Sequence, residues 1–293
     1  MWQLLKIELF KIFRKPRTYI SFGAIAAMVL IVQVALKFDG RSYVEFILGS
    51  LQESLEIPFD KILNGYFICF VILNLLLIHI PLLIALVAGD AVAGEANMGT
   101  LRLLVTKPVS RTQLMLAKFL ATTVYTAMLL AWMAFLSLLL SVLIFGTNDM
   151  IVARNDVVEV IQRNDVVWRY FAAFGYATVA LTTVAALAFL LSVFAENSIG
   201  PIVSTISIVI VFTILSEMQI PMYDRTVKPY LFTSHMLAWK AFFYLKTDED
   251  GTSIRGTIQN LPAIMRSLAI LLAYIGLFLG TAILVFRKKD ILT

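Results

Sequence analysis

Residues 170–215 read YFAAFGYATVALTTVAALAFLLSVF, then AENS, then IGPIVSTISIVIVFTIL. Glu196 is the single charged residue in this stretch. A helix needs about 20 mostly apolar residues to cross a hydrocarbon core of roughly 30 Å. Tyr170–Phe194 and Ile199–Leu215 are each near that length, and the break between them leaves room only for a tight turn. The stretch therefore reads as two antiparallel membrane-spanning helices. Lipid does not tolerate unpaired backbone groups, so runs this long argue for helices and against barrel strands.

Working outward, four more runs qualify: Tyr19–Leu36, about Ile62–Ala88, about Gln113–Phe145 and Ser267–Phe286. The run from Gln113 is longer than one crossing needs, and Lys118 lies in its first turns. Six spans predict an all-α membrane protein with a single transmembrane domain over residues 1–293, a leader at 1–17 and a long outer loop at 217–266. Composition agrees. Of 293 residues, 60% are hydrophobic and 15% charged, against about 45–50% and about 25% in soluble domains. These values exclude a disordered chain, a fibrous chain and a disulfide-stapled secreted domain. Cys69, the lone cysteine, reads as a small buried hydrophobe. No cleavable signal peptide is expected, because the first apolar run follows a charged leader and continues into further spans. The net charge of +5 reads as an orientation signal beside a bilayer, not as nucleic-acid binding.

With both termini inside, the basic residues divide evenly, 12 on each side. Placement breaks the tie, because the inner ones sit in short segments near span ends, where such charges set orientation most strongly. Both termini are therefore expected in the cytoplasm. The leader reads as an amphipathic helix. Trp2, Leu5, Leu9, Ile12 and Phe13 fall on one arc, with Gln3, Glu8, Lys11, Arg14 and Lys15 broadly opposite, until Pro16 breaks it. Between the second and third runs, Gly89–Gln113 is too short for a domain and too patterned for a passive linker. Glu95–Leu104 predicts a short helix, Pro108 extends the chain before it, and Ser110 with Gln113 predicts a capping box opening the third span at Arg111. The segment is thus an elbow of helix, break and helix. Gly94 and Gly99 have the spacing of a phosphate loop, but Thr100 and Leu101 follow where the lysine is required. The chain has no ATPase motif, so it is not expected to be an enzyme and any ATP would be bound by another polypeptide.

Among the outer segments, Lys37–Lys61 is expected to begin with a helix along the surface, and Gly146–Arg169 reads as a polar loop. The apolar, aromatic stretch His235–Leu245 is too short to span and reads as a re-entrant or interfacial helix. It could line an exit or cap the bundle.

The elbow residues Gly94-Glu95, Gly99-Thr100-Leu101-Arg102, Leu103-Leu104, Pro108-Val109-Ser110-Arg111 and Lys118 resemble the cytoplasmic loop of ABC-2 type transporter permeases. Glu8 with Arg14-Lys15-Pro16, and Phe286-Arg287-Lys288-Lys289-Asp290, resemble the start and close of that family. The resemblance implies the membrane subunit of an ATP-driven exporter in a bacterial or archaeal cytoplasmic (inner) membrane. Such a subunit pairs with a second permease copy, as a homodimer. Two copies of an ABC ATPase subunit, which bind the ATP and Mg, dock on its inner face. Glu95, Gly99, Thr100, Arg102, Pro108, Ser110 and Arg111 would then couple to the ATPase, assisted by Glu8, Lys11 and Arg14 of the leader. Glu95 and Arg102 are the residues expected to touch it.

Two other readings stay open, an ion-coupled secondary transporter and a structural membrane subunit. Ion coupling usually relies on ionisable residues inside the spans. Here the spans hold no acid, and the one histidine, His79 near Pro81, reads as a hydrogen-bonded residue beside a kink. With two histidines and one cysteine, no metal site is expected. Hydroxyls such as Thr122, Thr126, Thr178 and Thr182 read as bonding their own helices. The substrate itself is not legible.

Overall fold

A computed structural model describes residues 1–48, 62–100, 109–154, 157–218, 220, 226–248 and 253–289. Six of its helices are long and apolar enough to cross a membrane. The leader helix α1 (Trp2–Phe13) precedes α2 (Pro16–Leu48), α3 (Gly65–Ala88) and the short elbow helix α4 (Ala93–Asn97). Next comes α5 (Arg111–Ala134), which runs through a π-helical turn (Phe135–Leu140) into α6 (Ser141–Phe145). A hairpin of β1 (Met150–Arg154) and β2 (Val157–Ile161) leads into α7 (Arg163–Phe194), and α8 (Ile199–Glu217) returns from it. Lys228–Tyr230, α9 (Phe232–Met236) and the 3₁₀ turn Leu237–Phe243 precede a small pair, β3 (Lys246–Thr247) and β4 (Ser253–Ile254). The last helix is α10 (Leu261–Lys288).

α3 and α7 form the centre of the bundle, with α2, α8 and α10 around them. The main core runs from Ile25 and Val29 of α2 through Ile68, Ile72 and Ile80 of α3 to Ala177, Leu181 and Val184 of α7. A second apolar cluster, including Met115, Phe119, Phe189 and Phe286, fills the end that carries α1 and α4. The hydroxyls on the spans bond their own helices as expected, Thr122 to the Phe119 carbonyl at 2.7 Å and Thr182 to the Thr178 carbonyl at 2.7 Å. His79 bonds the Leu75 carbonyl at 2.6 Å and lies exposed on the bundle's surface.

The extra length of the third span is explained by its π turn. A π turn disturbs the regular ladder, and the groups it loosens need partners. Gln33 of α2, 1% exposed, supplies one. Its amide donates to the Leu136 carbonyl at 3.2 Å and to the Ser141 hydroxyl at 2.9 Å.

Several expected boundaries are corrected. α7 starts at Arg163, so the end of the expected polar loop is helical. Asp149 caps it by accepting from the Arg163 N–H at 2.9 Å, and Asp165 pairs with Arg169 at 2.6 Å one turn on. Arg169 is fully buried because its guanidinium also donates to the carbonyls of Phe242 and Thr257. α2 continues as far as Leu48 through a non-helical Asp39, and residues 49–61 lie outside the described set. His235–Leu245 is mostly 3₁₀ turn, not one helix. Its Trp239 and Phe243 rings pack on Phe70 at 5.7 and 5.2 Å, so this segment caps the end of the bundle away from α1.

Gln33→Leu removes both donated bonds and leaves the Leu136 carbonyl without that partner. The expected cost is about 1–3 kcal/mol, the penalty for stranding a buried polar group. Thermal unfolding in detergent checks it, and Gln33→Asn should restore little because its amide is one methylene shorter.

Candidate functional site

The leader is held by charge. Its helix turns Glu8 inward to 7% exposure, whereas Trp2, Ile7 and Phe10 are 65%, 52% and 63% exposed. Leu5, Leu9, Ile12 and Phe13 are only half-buried, and the side facing the bundle carries Glu8, Lys11 and Lys15. The reason is what lies opposite. The Lys118 side chain, 1% exposed on the second turn of α5, needs an acid, and Glu95 of α4, also buried, needs a base.

The result is a closed ring of alternating charge. Glu8 Oε1 is 2.7 Å from Lys11 Nζ, which is 2.7 Å from Glu95 Oε1. Glu95 Oε2 is 2.7 Å from Lys118 Nζ, which is 2.9 Å from Glu8 Oε2. Each carboxylate thus meets both ammoniums, and the ring is neutral. Beside it, Asp90 receives Lys15 at 2.6 Å, Arg17 at closer range and the hydroxyl of Ser198, from the turn between α7 and α8. A cavity of about 30 Å³ remains among these groups.

The elbow helix is fixed from other directions too. Ser192 of α7 accepts from the N–H groups of Val92 and Ala93 at 3.0 and 2.8 Å, capping α4 from outside its own chain segment. A Cβ on Gly94 would lie 2.3 Å from the Asp90 carboxylate, so only glycine fits. Gly99 ends the helix with φ of 68°, a conformation that favours glycine. Of the expected helix Glu95–Leu104, α4 holds the part up to Asn97 and Gly99 interrupts it, Thr100 is helical again, and residues 101–104 lie outside the described residues.

All but two of the residues singled out from the sequence lie among the described residues. Glu95, Glu8 and Lys11 meet in the ring, so the expected surface contact by Glu95 is corrected: its carboxylate is spent inside the chain. Thr100 donates to the Glu95 carbonyl at 3.3 Å. Ser110 caps α5 as expected, accepting from the Gln113 N–H at 3.2 Å. Arg111 caps the C-terminal end of α10 at the same end of the bundle, donating to the carbonyls of Arg287 and Lys289 at 3.0 and 2.8 Å. Arg14 is exposed, 5.5 Å from the Phe10 ring. Arg102 and Pro108 lie outside the described residues.

Sequence reasoning passed over Asp90, Lys15, Arg17, Ser192 and Ser198. One signal was legible, since a lysine two turns into a span requires a buried acid, and the nearby acids at the same end are few. No group of His, Cys, Asp or Glu suited to a metal occurs among the described residues.

The chain matches the family described as Protein of unknown function (DUF2705) over residues 24–292, and it belongs to that family. It is 28% identical over 211 residues to the Uncharacterized protein YhcI of Bacillus subtilis (strain 168). That match covers 70% of this chain and 63% of the relative's length.

Burial pushes the Glu8 carboxyl up, but the Lys118 and Lys11 ammoniums overcome this and hold it below its ordinary 4.5. Burial pulls Lys11 down, and its bonds to Glu8 and Glu95 reverse this, holding it above 10.5. Glu8 therefore stabilises the docked leader above its ordinary value, and that support is lost as pH falls through the depressed one. Lys11 stabilises it below 10.5, and that support fades as pH rises through the elevated value. Protease nicking of the leader should thus increase at both extremes of pH. Lys118→Met leaves two buried carboxylates sharing Lys11, and unfolding should become easier by about 3–5 kcal/mol. A chemical-denaturation series in detergent measures it.

Proposed function

We propose that this chain is the membrane subunit of an ATP-driven exporter of the ABC-2 type, working as a dimer and driven by a separate ATPase. The observation that carries the reading is the charge ring. It joins the leader, the elbow and the start of the third span into one body at the end of the bundle where the resemblance puts an ATPase. Force applied to such a body moves α1, α4 and α5 together. Asp90 and Ser198 extend the linkage to the α7–α8 turn, and Arg111 extends it to α10.

Two further points support the reading. The chain has no phosphate loop of its own, so in this reading ATP is hydrolysed by a partner. The carboxylates at the inner end are neutralised in place, so proton or ion coupling through them is disfavoured. In this reading Glu95, Glu8 and Lys11 act as positioning residues. Contact with the ATPase falls to exposed groups, of which Arg14 is one. The ring then sets how tightly nucleotide state and bundle state are linked, because coupling is a free-energy difference that a loose joint dissipates.

The test is purification from its native membrane in mild detergent. An ATPase subunit should co-elute at one copy per permease chain. Arg14→Glu should weaken that association while leaving the unfolding temperature within about a degree, since surface substitutions cost under about 0.5 kcal/mol. Lys118→Met should leave the ATPase bound but lower transport-linked hydrolysis. Transport that follows an ion gradient, with no ATPase in the complex, would refute the proposal.

A further inference from the structure

A groove of about 620 Å³ opens on the flank of the bundle, between the π turn and α7. Ala131, Phe135 and Leu139 form one wall, and Phe171 and Gly175 form the other. Its lining is almost wholly apolar. Pockets of this size accommodate small molecules and usually carry a few polar groups that orient them. Here a Cβ built on Gly175 meets nothing within 4 Å, so the hollow lies open above this glycine. Phe171 and Phe135 are 70% and 52% exposed at its rims.

The polar groups stand at one end. Tyr66, at the start of α3, lines the groove, and its hydroxyl has no hydrogen-bond partner among the described residues. Arg163 begins α7 one turn before Val167, which also lines the groove, and two turns before Phe171. Its side chain is exposed and has no ion pair among the described residues. Trp168 stands at the same level, 40% exposed, where indoles mark a membrane interface. At the deep end the Thr178 hydroxyl is already bonded to the Phe174 carbonyl at 2.8 Å, so that end is apolar in effect. The groove thus has a phenol in its lining and hydrocarbon along its length, and the exposed Arg163 stands one turn of α7 beyond it, with the Asp149 carboxylate on its backbone N–H.

The geometry points to an anionic lipid as the occupant, with an acyl chain lying along the groove and its headgroup phosphate at Arg163. The charge one turn beyond the lining selects an acid, the absence of buried polar demand selects an alkyl tail, and the flank position gives access from the bilayer. This inference stands apart from any ATPase. It concerns α5–α7 at the end away from the leader.

The protein in nanodiscs of phosphatidylcholine, doped with phosphatidylglycerol carrying a diazirine in its acyl chain, provides the test. Illumination should label peptides from 127–142 and 167–178. Gly175→Trp, which fills the hollow, should lower that labelling about tenfold, and Arg163→Glu should reduce the preference for phosphatidylglycerol over an equivalent phosphatidylcholine probe by about as much. Arg163→Glu lies on the surface and keeps the test valid if Gly175→Trp fails to fold. Labelling unchanged by Gly175→Trp, or equal for the two lipids in the unsubstituted protein, overturns the proposal. So does a Phe171→Cys protein that oxidises to a covalent dimer in the same discs, because a second copy then occupies the groove.

Discussion

The neutral square of Glu8, Lys11, Glu95 and Lys118 is the constraint on which the leader-bearing end of this protein depends. Taking any one of these charges out of water is costly, and a single opposite partner rarely compensates in full. Four charges in alternation change that balance, because each group faces two opposite charges. Removing any one member leaves two like charges sharing the single opposite charge that remains. The leader is therefore part of the bundle, despite packing little apolar surface against it. The same logic fixes the elbow, whose five residues are too few to hold a helix by themselves.

The opposite end is pinned by a different device. Arg169 is buried without an ammonium-type partner network. One carboxylate and two backbone carbonyls, from segments far apart in sequence, satisfy its guanidinium. Glu159 does the reciprocal service by accepting from the Leu245 N–H at 2.8 Å. Between these polar clamps, the spans are held by apolar packing and by Gln33 at the π turn.

Several features were legible because they depend on local chemistry. Span lengths follow from hydrocarbon thickness, and Ser110 caps α5 because a hydroxyl three residues before an N–H reaches it in any context. The charges that hold the leader were not legible, for an equally physical reason. A helical wheel ranks faces by hydrophobicity and does not say which charges meet a partner across the bundle. What decided that was Lys118, 110 residues from Glu8 in sequence, whose demand for an acid outweighs the modest gain from a half-buried leucine.

The sequence alone determined that the chain builds six membrane-length helices, that both ends of the chain meet at one end of the bundle, and that the third span opens after Ser110. These follow from hydropathy, from an even number of crossings and from turn chemistry, all of which act over a few residues. Tertiary structure alone decided which charges meet. It placed Asp90 against Lys15, Arg17 and Ser198, and it turned Glu95 inward. Pairing of buried charges is set by which helices become neighbours, and that information is distributed over the whole packed bundle.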